Sequence, residues 1–274
     1  MAIQLSRRDL AGYLAPVTAL MAFALVVPLA FTFWRSLGDT VPSLDAYVGL
    51  FKSRLFNQSA LTTLEIALSS TIFSIALAYP IALHLSRLSE KWRPIFMIFV
   101  LLPFWTSILV KSYAFIVVLG DAGIVNHAFM ALGLPKVPMM FNRIGVLVGM
   151  SSFQIPFVVF PLLANLLAQD ANLRRTAAVM GASDLRIFWQ ITFPLSLPGL
   201  LAGAIMCFVM AMGSFVTPAL LGGRKDMMVA NLIDFYTREA LDWASASAIA
   251  VILFAVSAFL LWLVGRVRRE SALM

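Results

Sequence analysis

Six apolar stretches, each long enough to cross a bilayer, divide the 274-residue chain. A spanning helix takes about 20 predominantly apolar residues. The stretches are Tyr13–Trp34, Ala60–His84, Pro94–Leu119, Gly145–Ala168, Pro198–Leu221 and Ala244–Arg266. A backbone inside hydrocarbon must satisfy its own hydrogen bonds, which leaves helices or closed barrels. Runs of this length favour helices, so the expected fold is an all-α membrane protein of about six transmembrane helices. Charge is scarce, at 12% of residues, and 61% are hydrophobic. Soluble domains carry about 25% charge, so this chain cannot coat a water-facing surface of its size.

Arg7 and Arg8 precede the first stretch, as basic residues precede a secretory leader. Its apolar run exceeds the roughly 7–15 residues of a leader, so it is read as a retained first crossing over residues 13–34. Residues 1–12 and 267–274 are then tails. Residues 60–266 form the transmembrane core, with a polar loop at 169–197. Lys and Arg in alternate loops divide eleven to eight, and counting acids gives net +6 against +1. The richer side holds both termini and the 169–197 loop, so both termini are expected in the cytoplasm.

Prolines interrupt the crossings at Pro16, Pro28, Pro80, Pro103, Pro156, Pro161 and Pro218. Each removes a backbone donor and favours a kink. The pairs Gly145/Gly149 and Gly199/Gly203 suit close helix approach, within the chain or with a partner. Cys207 stands alone in an apolar run and reads as a small core residue.

Catalytic signatures are missing. No phosphate-cradling G-x-x-x-x-G-K-[ST] occurs, nor a Gly-x-Ser-x-Gly elbow. His84 and His127 are far apart, and with one cysteine they make no metal-ligand cluster. The net charge of +7 lies between apolar runs, which fits membrane orientation and argues against nucleic acid. The chain is therefore expected to be no enzyme and to bind no cofactor or metal itself.

The loop "RTAAVMGASDLRIFWQITFP", Arg175 to Pro194, is the long polar exception. Its first half reads as a short helix ended by Gly181 in a left-handed cap. Ser183 or Asp184 can cap a second helix. Leu185, Phe188 and Ile191 would form its apolar stripe, Arg186 and Gln190 would stay wet, and Pro194 would end it. The residues alone leave two placements open: an elbow projecting into the cytoplasm, or a helix pair lying flat on lipid.

This loop resembles the cytoplasmic motif of permease subunits of ATP-binding-cassette importers, E-A-A-x-x-x-G followed by I-x-L-P. Aligned on the glycine, the chain has Arg175-Thr176-Ala177, Gly181-Ala182-Ser183 and Ile191-x-Phe193-Pro194. The resemblance implies a type I importer permease (MetI-like) fold whose elbow is a coupling helix seated in an ATPase groove. It carries Arg175, Thr176, Ala177, Gly181, Ala182, Ser183, Phe188, Ile191 and Pro194 as the ATPase-coupling residues. Arg175 stands where the motif has glutamate, and Thr176 replaces its first alanine, so the salt link made by that glutamate is not carried over.

Leu102 to Asn126, "LPFWTSILVKSYAFIVVLGDAGIVN", resembles the signature of the spermidine/putrescine permease group. The matching residues are Pro103–Thr106, Lys111-Ser112-Tyr113-Ala114 and Gly123–Asn126. That signature is shared by relatives carrying other amines, opines or metal chelates. The resemblance implies four kinds of partner: an ABC ATPase dimer holding ATP and Mg, a second homologous permease, a periplasmic solute-binding protein and the lipid of a bacterial inner membrane.

Ionisable groups inside crossings are costly and count as functional candidates. Glu65 could attract a cation from the outer part of the second crossing. Lys111, deeper in the third, would repel a polyamine and fits better as a cap on carbonyls or a partner for an acid. Trp105 and Tyr113 could hold an ammonium on their ring faces, or pack in the bundle. Asp121 could draw a cation to the entrance. The expected function is an importer permease for a polyamine or similar small organic cation. An opine, amino-acid derivative or metal chelate is the alternative cargo. A membrane anchor or sensor, and an enzyme of the bilayer, are rivals from other classes.

Overall fold

Capping residues set where the long helices begin. The structure is a computed structural model describing the backbone of residues 7–38 and 42–271, and side chains over 14–38, 42–170 and 172–262. The ends of both expected tails, residues 1–6 and 272–274, lie outside the described residues. Helix α1 is Arg7–Ser36, α2 is Asp45–Lys52 and α3 is Arg54–Arg87. The Ser53 hydroxyl accepts from Phe56 N–H at 3.4 Å and starts α3. With 34 residues, α3 is about 51 Å long at 1.5 Å per residue, enough to project beyond hydrocarbon.

Next come α4 (Arg93–Trp105), α5 (Ile108–Leu119), α6 (Ile124–Ala131) and α7 (Arg143–Ala168). Asn142 starts α7 by accepting from Ile144 N–H at 2.9 Å and Gly145 N–H at 3.3 Å. The remainder are α8 (Ala171–Val179), α9 (Asp184–Ile187), a π turn (Phe188–Thr192), α10 (Phe193–Met212), α11 (Val216–Leu221), α12 (Val229–Arg238) and α13 (Trp243–Ser271). Among the described residues six helical runs are long and apolar enough to cross a membrane.

Two expected crossings differ in detail. The third stretch is not one helix: α4 ends at Trp105 and α5 begins at Ile108. Pro103 brings no backbone donor to the last turn of α4, and its carbonyl is taken by the Thr106 hydroxyl and the Lys111 ammonium. The run Ile108–Ala131, spanning α5 and α6, is itself of crossing length. The fifth crossing starts earlier than Pro198, because helix runs from Asp184 to Met212. It breaks at Gly213–Phe215 and resumes as α11, so Pro218 lies in a separate short helix.

Helices α3, α7 and α10 pack on one another as the centre of the molecule. The glycine pairs explain how closely. A Cβ on Gly203 would lie 2.8 Å from the Val158 Cα, and one on Gly199 would lie 2.6 Å from the Asn165 Cβ, both across the α10–α7 contact. A Cβ on Gly149 would meet Leu221 and Thr217 of α11 below 3 Å. Polar links run through the same centre. Ser74 donates to the buried Gln154 side chain at 2.9 Å, and the Gln154 amide donates to the Cys207 carbonyl at 3.3 Å. Cys207 itself is fully buried. By contrast α1 packs against α13, and Leu20 and Phe23 of α1 remain more than 60% exposed.

Candidate functional site

The 169–197 loop folds as a helix–turn–helix elbow. Asp170 caps α8 by accepting from Asn172 N–H at 2.9 Å. The helix then closes with two short-range bonds, Gly181 N–H to Ala178 and Ala182 N–H to Ala177, both at 3.0 Å. This is the Schellman pattern, and it needs a left-handed residue at its centre. Gly181 supplies it with φ +83°. Nothing lies within 4 Å of a Cβ placed there, so backbone conformation alone selects glycine. Ser183 then caps α9 by accepting from Arg186 N–H at 3.4 Å.

The second arm departs from the sequence expectation. Pro194 does not end it. The π turn Phe188–Thr192 widens the helix just before the proline, with Phe193 N–H donating to the Phe188 carbonyl. The widened turn accommodates the missing donor and the ring, and the arm runs straight into α10. One extra residue in the turn also rotates the faces. The buried positions are Ile187 and Thr192, with Phe188 and Ile191 half-buried, while Leu185 is 70% exposed. The stripe expected at Leu185, Phe188 and Ile191 is therefore displaced. Arg186 and Gln190 do stay at the surface, bonded to each other at 3.0 Å.

Aromatic packing anchors the elbow to the core. The Tyr79 ring of α3 meets Phe188 edge-on at 5.9 Å and Phe193 at 5.8 Å. Its hydroxyl is 2.9 Å from the Ser196 hydroxyl. The tip points the other way: Val179 and Met180 are more than 80% exposed, and Trp189 is 57% exposed. Arg175, Thr176, Gly181, Ser183 and Pro194 are also exposed, with Ala177 and Ala182 half-buried. Apolar side chains this exposed on a capped turn mark a candidate interaction surface.

The five candidates for the substrate path are not gathered into one site. Glu65 lies on α3, Trp105 ends α4, Lys111 and Tyr113 lie on α5, and Asp121 follows it. Trp105 is 80% and Tyr113 60% exposed on this chain, and Asp121 is exposed too. Lys111 donates to the Pro103 carbonyl across the α4–α5 break and sits 5.1 Å from the Phe153 ring centre. Its geometry is that of a carbonyl cap.

Glu65 belongs to an ion network that sequence reasoning missed. Arg143, the first residue of α7, bridges Glu65 at 3.0 Å and Asp226 at 2.8 Å. Asp226 is 5% exposed, and its second oxygen accepts from Gly223 N–H at 3.0 Å. A cation at a helix N-terminus opposes the helix dipole, and the two acids offset it. The three residues are spread over 161 positions of chain, so no local pattern links them. Nearby, the Thr63 hydroxyl of α3 accepts from Val229 N–H at 2.8 Å and ties down the start of α12. Asn126, the end of the second signature, is fully buried. It exchanges bonds with Val137 and donates to the Gly120 carbonyl, so in this chain it stitches the α5–α6 turn to the following strap.

Six helical runs of crossing length among the described residues, with a capped, apolar-tipped elbow, define a polytopic helical membrane protein that offers a surface to a partner. The chain belongs to the family described as binding-protein-dependent transport system inner membrane component, which matches residues 66–270. Among its relatives is the spermidine/putrescine transport system permease protein PotB of Escherichia coli K12, 32% identical over 229 residues, covering 83% of each chain. The Salmonella typhimurium LT2 PotB is also 32% identical and is covered over 79% of its length. A probable sulfate transport system permease of Chlorokybus atmophyticus is 30% identical over 203 residues, 73% of this chain and 70% of that one. Among solved structures, a bacterial ABC transporter importing the acidic polysaccharide alginate has a chain that superposes with TM-score 0.78 at 20% identity, over 96% of both chains. That likeness establishes the fold. The protein is a multi-pass inner-membrane permease of an ABC importer, not an enzyme.

Proposed function

We propose that this permease imports a polyamine or a similar small organic cation, with ATP hydrolysed on partner subunits. The observation that carries the ATP-driven part of the reading is the elbow: a capped turn with an exposed apolar tip, continuous through a π turn with α10 and packed against Tyr79 on α3. Force applied there would pass along the second arm into α10 and, through the Tyr79 contacts, to α3. An ABC ATPase dimer, holding ATP and Mg, would grip the tip. Arg175 would then meet a groove whose charge differs from one evolved for glutamate.

Both termini and the elbow would face the cytoplasm, in keeping with the Lys and Arg bias. A second, homologous permease would cover the exposed faces of α1 and α5, and a periplasmic solute-binding protein would deliver cargo to the outer loops. The cargo class rests on the identity to the two PotB proteins. The sulfate permease among the relatives keeps other cargo in play as outcomes of the test. The test is ATP hydrolysis by the co-purified complex in lipid with its binding protein. Stimulation by spermidine or putrescine, and not by opines, metal chelates or sulfate, is expected. Stimulation by one of those others alone would replace the cargo, and a folded complex lacking any ATPase would remove the coupling role.

A further inference from the structure

A cleft of about 610 Å³ lies between α3, α4 and α7 and shares no lining residue with the elbow or with the Glu65–Arg143–Asp226 network. Its walls include Ile81 and His84 of α3, Phe96, Phe99 and Val100 of α4, and Ile155 of α7. The lining is almost all carbon. Phe99, one of its walls, is 65% exposed on an apolar helix, so the cleft is open to the side on this chain. The volume falls within the range of sites for small organic ligands, about 300–1,000 Å³.

One helical turn beyond His84 and Phe96 the wall becomes basic. Arg87 ends α3, Lys91 lies in the turn and Arg93 begins α4, with Glu90 the one acid among them. Arg93 is committed: its guanidinium donates to the Leu85 and Leu88 carbonyls at 3.1 and 2.9 Å, sealing the end of α3. Arg87 and Lys91 are exposed and make no ion pair among the described residues. Trp92, next to Lys91 in the chain and 59% exposed, is the residue type that settles at the headgroup level.

An apolar slot capped by free cations and a tryptophan matches an anionic phospholipid, acyl chain below and phosphate above. We propose that this cleft is a binding site for one anionic phospholipid of the surrounding bilayer. The acyl chain lies along Phe96, Phe99 and Val100, and the headgroup is held by Arg87 and Lys91. The charge argues for an anionic headgroup over a zwitterionic one, because the basic turn carries a net excess of positive charge. Since α4 ends in the break at Thr106–Ser107, an occupant here braces the inner half of the broken crossing against α3 and α7. The site does not depend on which cargo is carried.

The test uses the intact complex in nanodiscs of phosphatidylcholine with a minor fraction of phosphatidylglycerol, with retained lipid counted by native mass spectrometry. The wild-type complex should retain phosphatidylglycerol in preference. The exposed pair Arg87→Gln/Lys91→Gln should weaken that retention about twenty-five-fold, at roughly fivefold for each charge near the surface. Val100→Phe, which fills the slot, should lower retention of either lipid. Lys52→Gln/Arg54→Gln, an equal loss of charge at the start of α3, should change nothing. Unaltered phosphatidylglycerol retention in the first variant would overturn the proposal. So would crosslinking of Phe99→Cys to the second permease, since protein would then cover the slot.

Discussion

The two ends of the α3–α7–α10 core are held by opposite means. At the end where α7 begins, charges meet and are consumed: Arg143 is shared between Glu65 and the buried Asp226, and the 222–228 loop is drawn onto α3 and α7. At the elbow end, backbone geometry and ring packing do the holding, and apolar side chains are left facing outward. An end that satisfies its own groups needs no further protein to keep its shape. An end that leaves Val179, Met180 and Trp189 uncovered is shaped for a partner. The difference separates substitutions that unfold the chain from those that uncouple it.

The sharpest way to break the comparison is at Arg143. Arg143→Met strands the Asp226 carboxylate in a buried site. Removing one partner of a buried pair costs about 3–5 kcal/mol, and the part-exposed Arg143 places this case at the low end. Thermal unfolding of the solubilised protein should fall clearly, and Arg143→Met/Asp226→Asn should recover part of the loss. Gly181→Val comes next, with a smaller and local effect. A side chain at φ +83° costs about 1–2 kcal/mol in the left-handed region, while open space around the position spares the packing. Membrane insertion should persist and uptake should fail.

Glu65→Gln should cost less than about 1 kcal/mol, because the carboxylate is solvent-exposed and screened. Raising salt should shrink the difference from wild type. The smallest effect on folding is expected at the tip. Val179→Ser/Met180→Ser should leave the melting temperature unchanged, both side chains being more than 80% exposed, and still reduce the ATPase retained on purification, by about tenfold if the two residues together supply about 1.4 kcal/mol of contact.

Apolar length made the crossings legible, because hydrocarbon leaves the backbone so few choices. The glycine cap was legible for a similar reason: one residue type tolerates that conformation, and Gly181 adopts it. Periodicity misplaced the second arm of the elbow. A constant helical pitch puts Leu185 on the inner stripe, and the π turn before Pro194 rotates it outward. The break at Thr106–Ser107 was hidden because apolar residues continue on both sides of it. The network of Glu65, Arg143 and Asp226 was illegible because its members meet only once three distant segments pack. Its two basic and acidic loop members look like ordinary solvated charges until then.

The most direct measurement compares wild-type and Gly181→Val complexes in the same lipid, with ATP hydrolysis followed as loaded solute-binding protein is added. An elbow that couples the motor to the core predicts stimulation in the wild type and an assembled, unstimulated Gly181→Val complex. Equal stimulation of both complexes would contradict it.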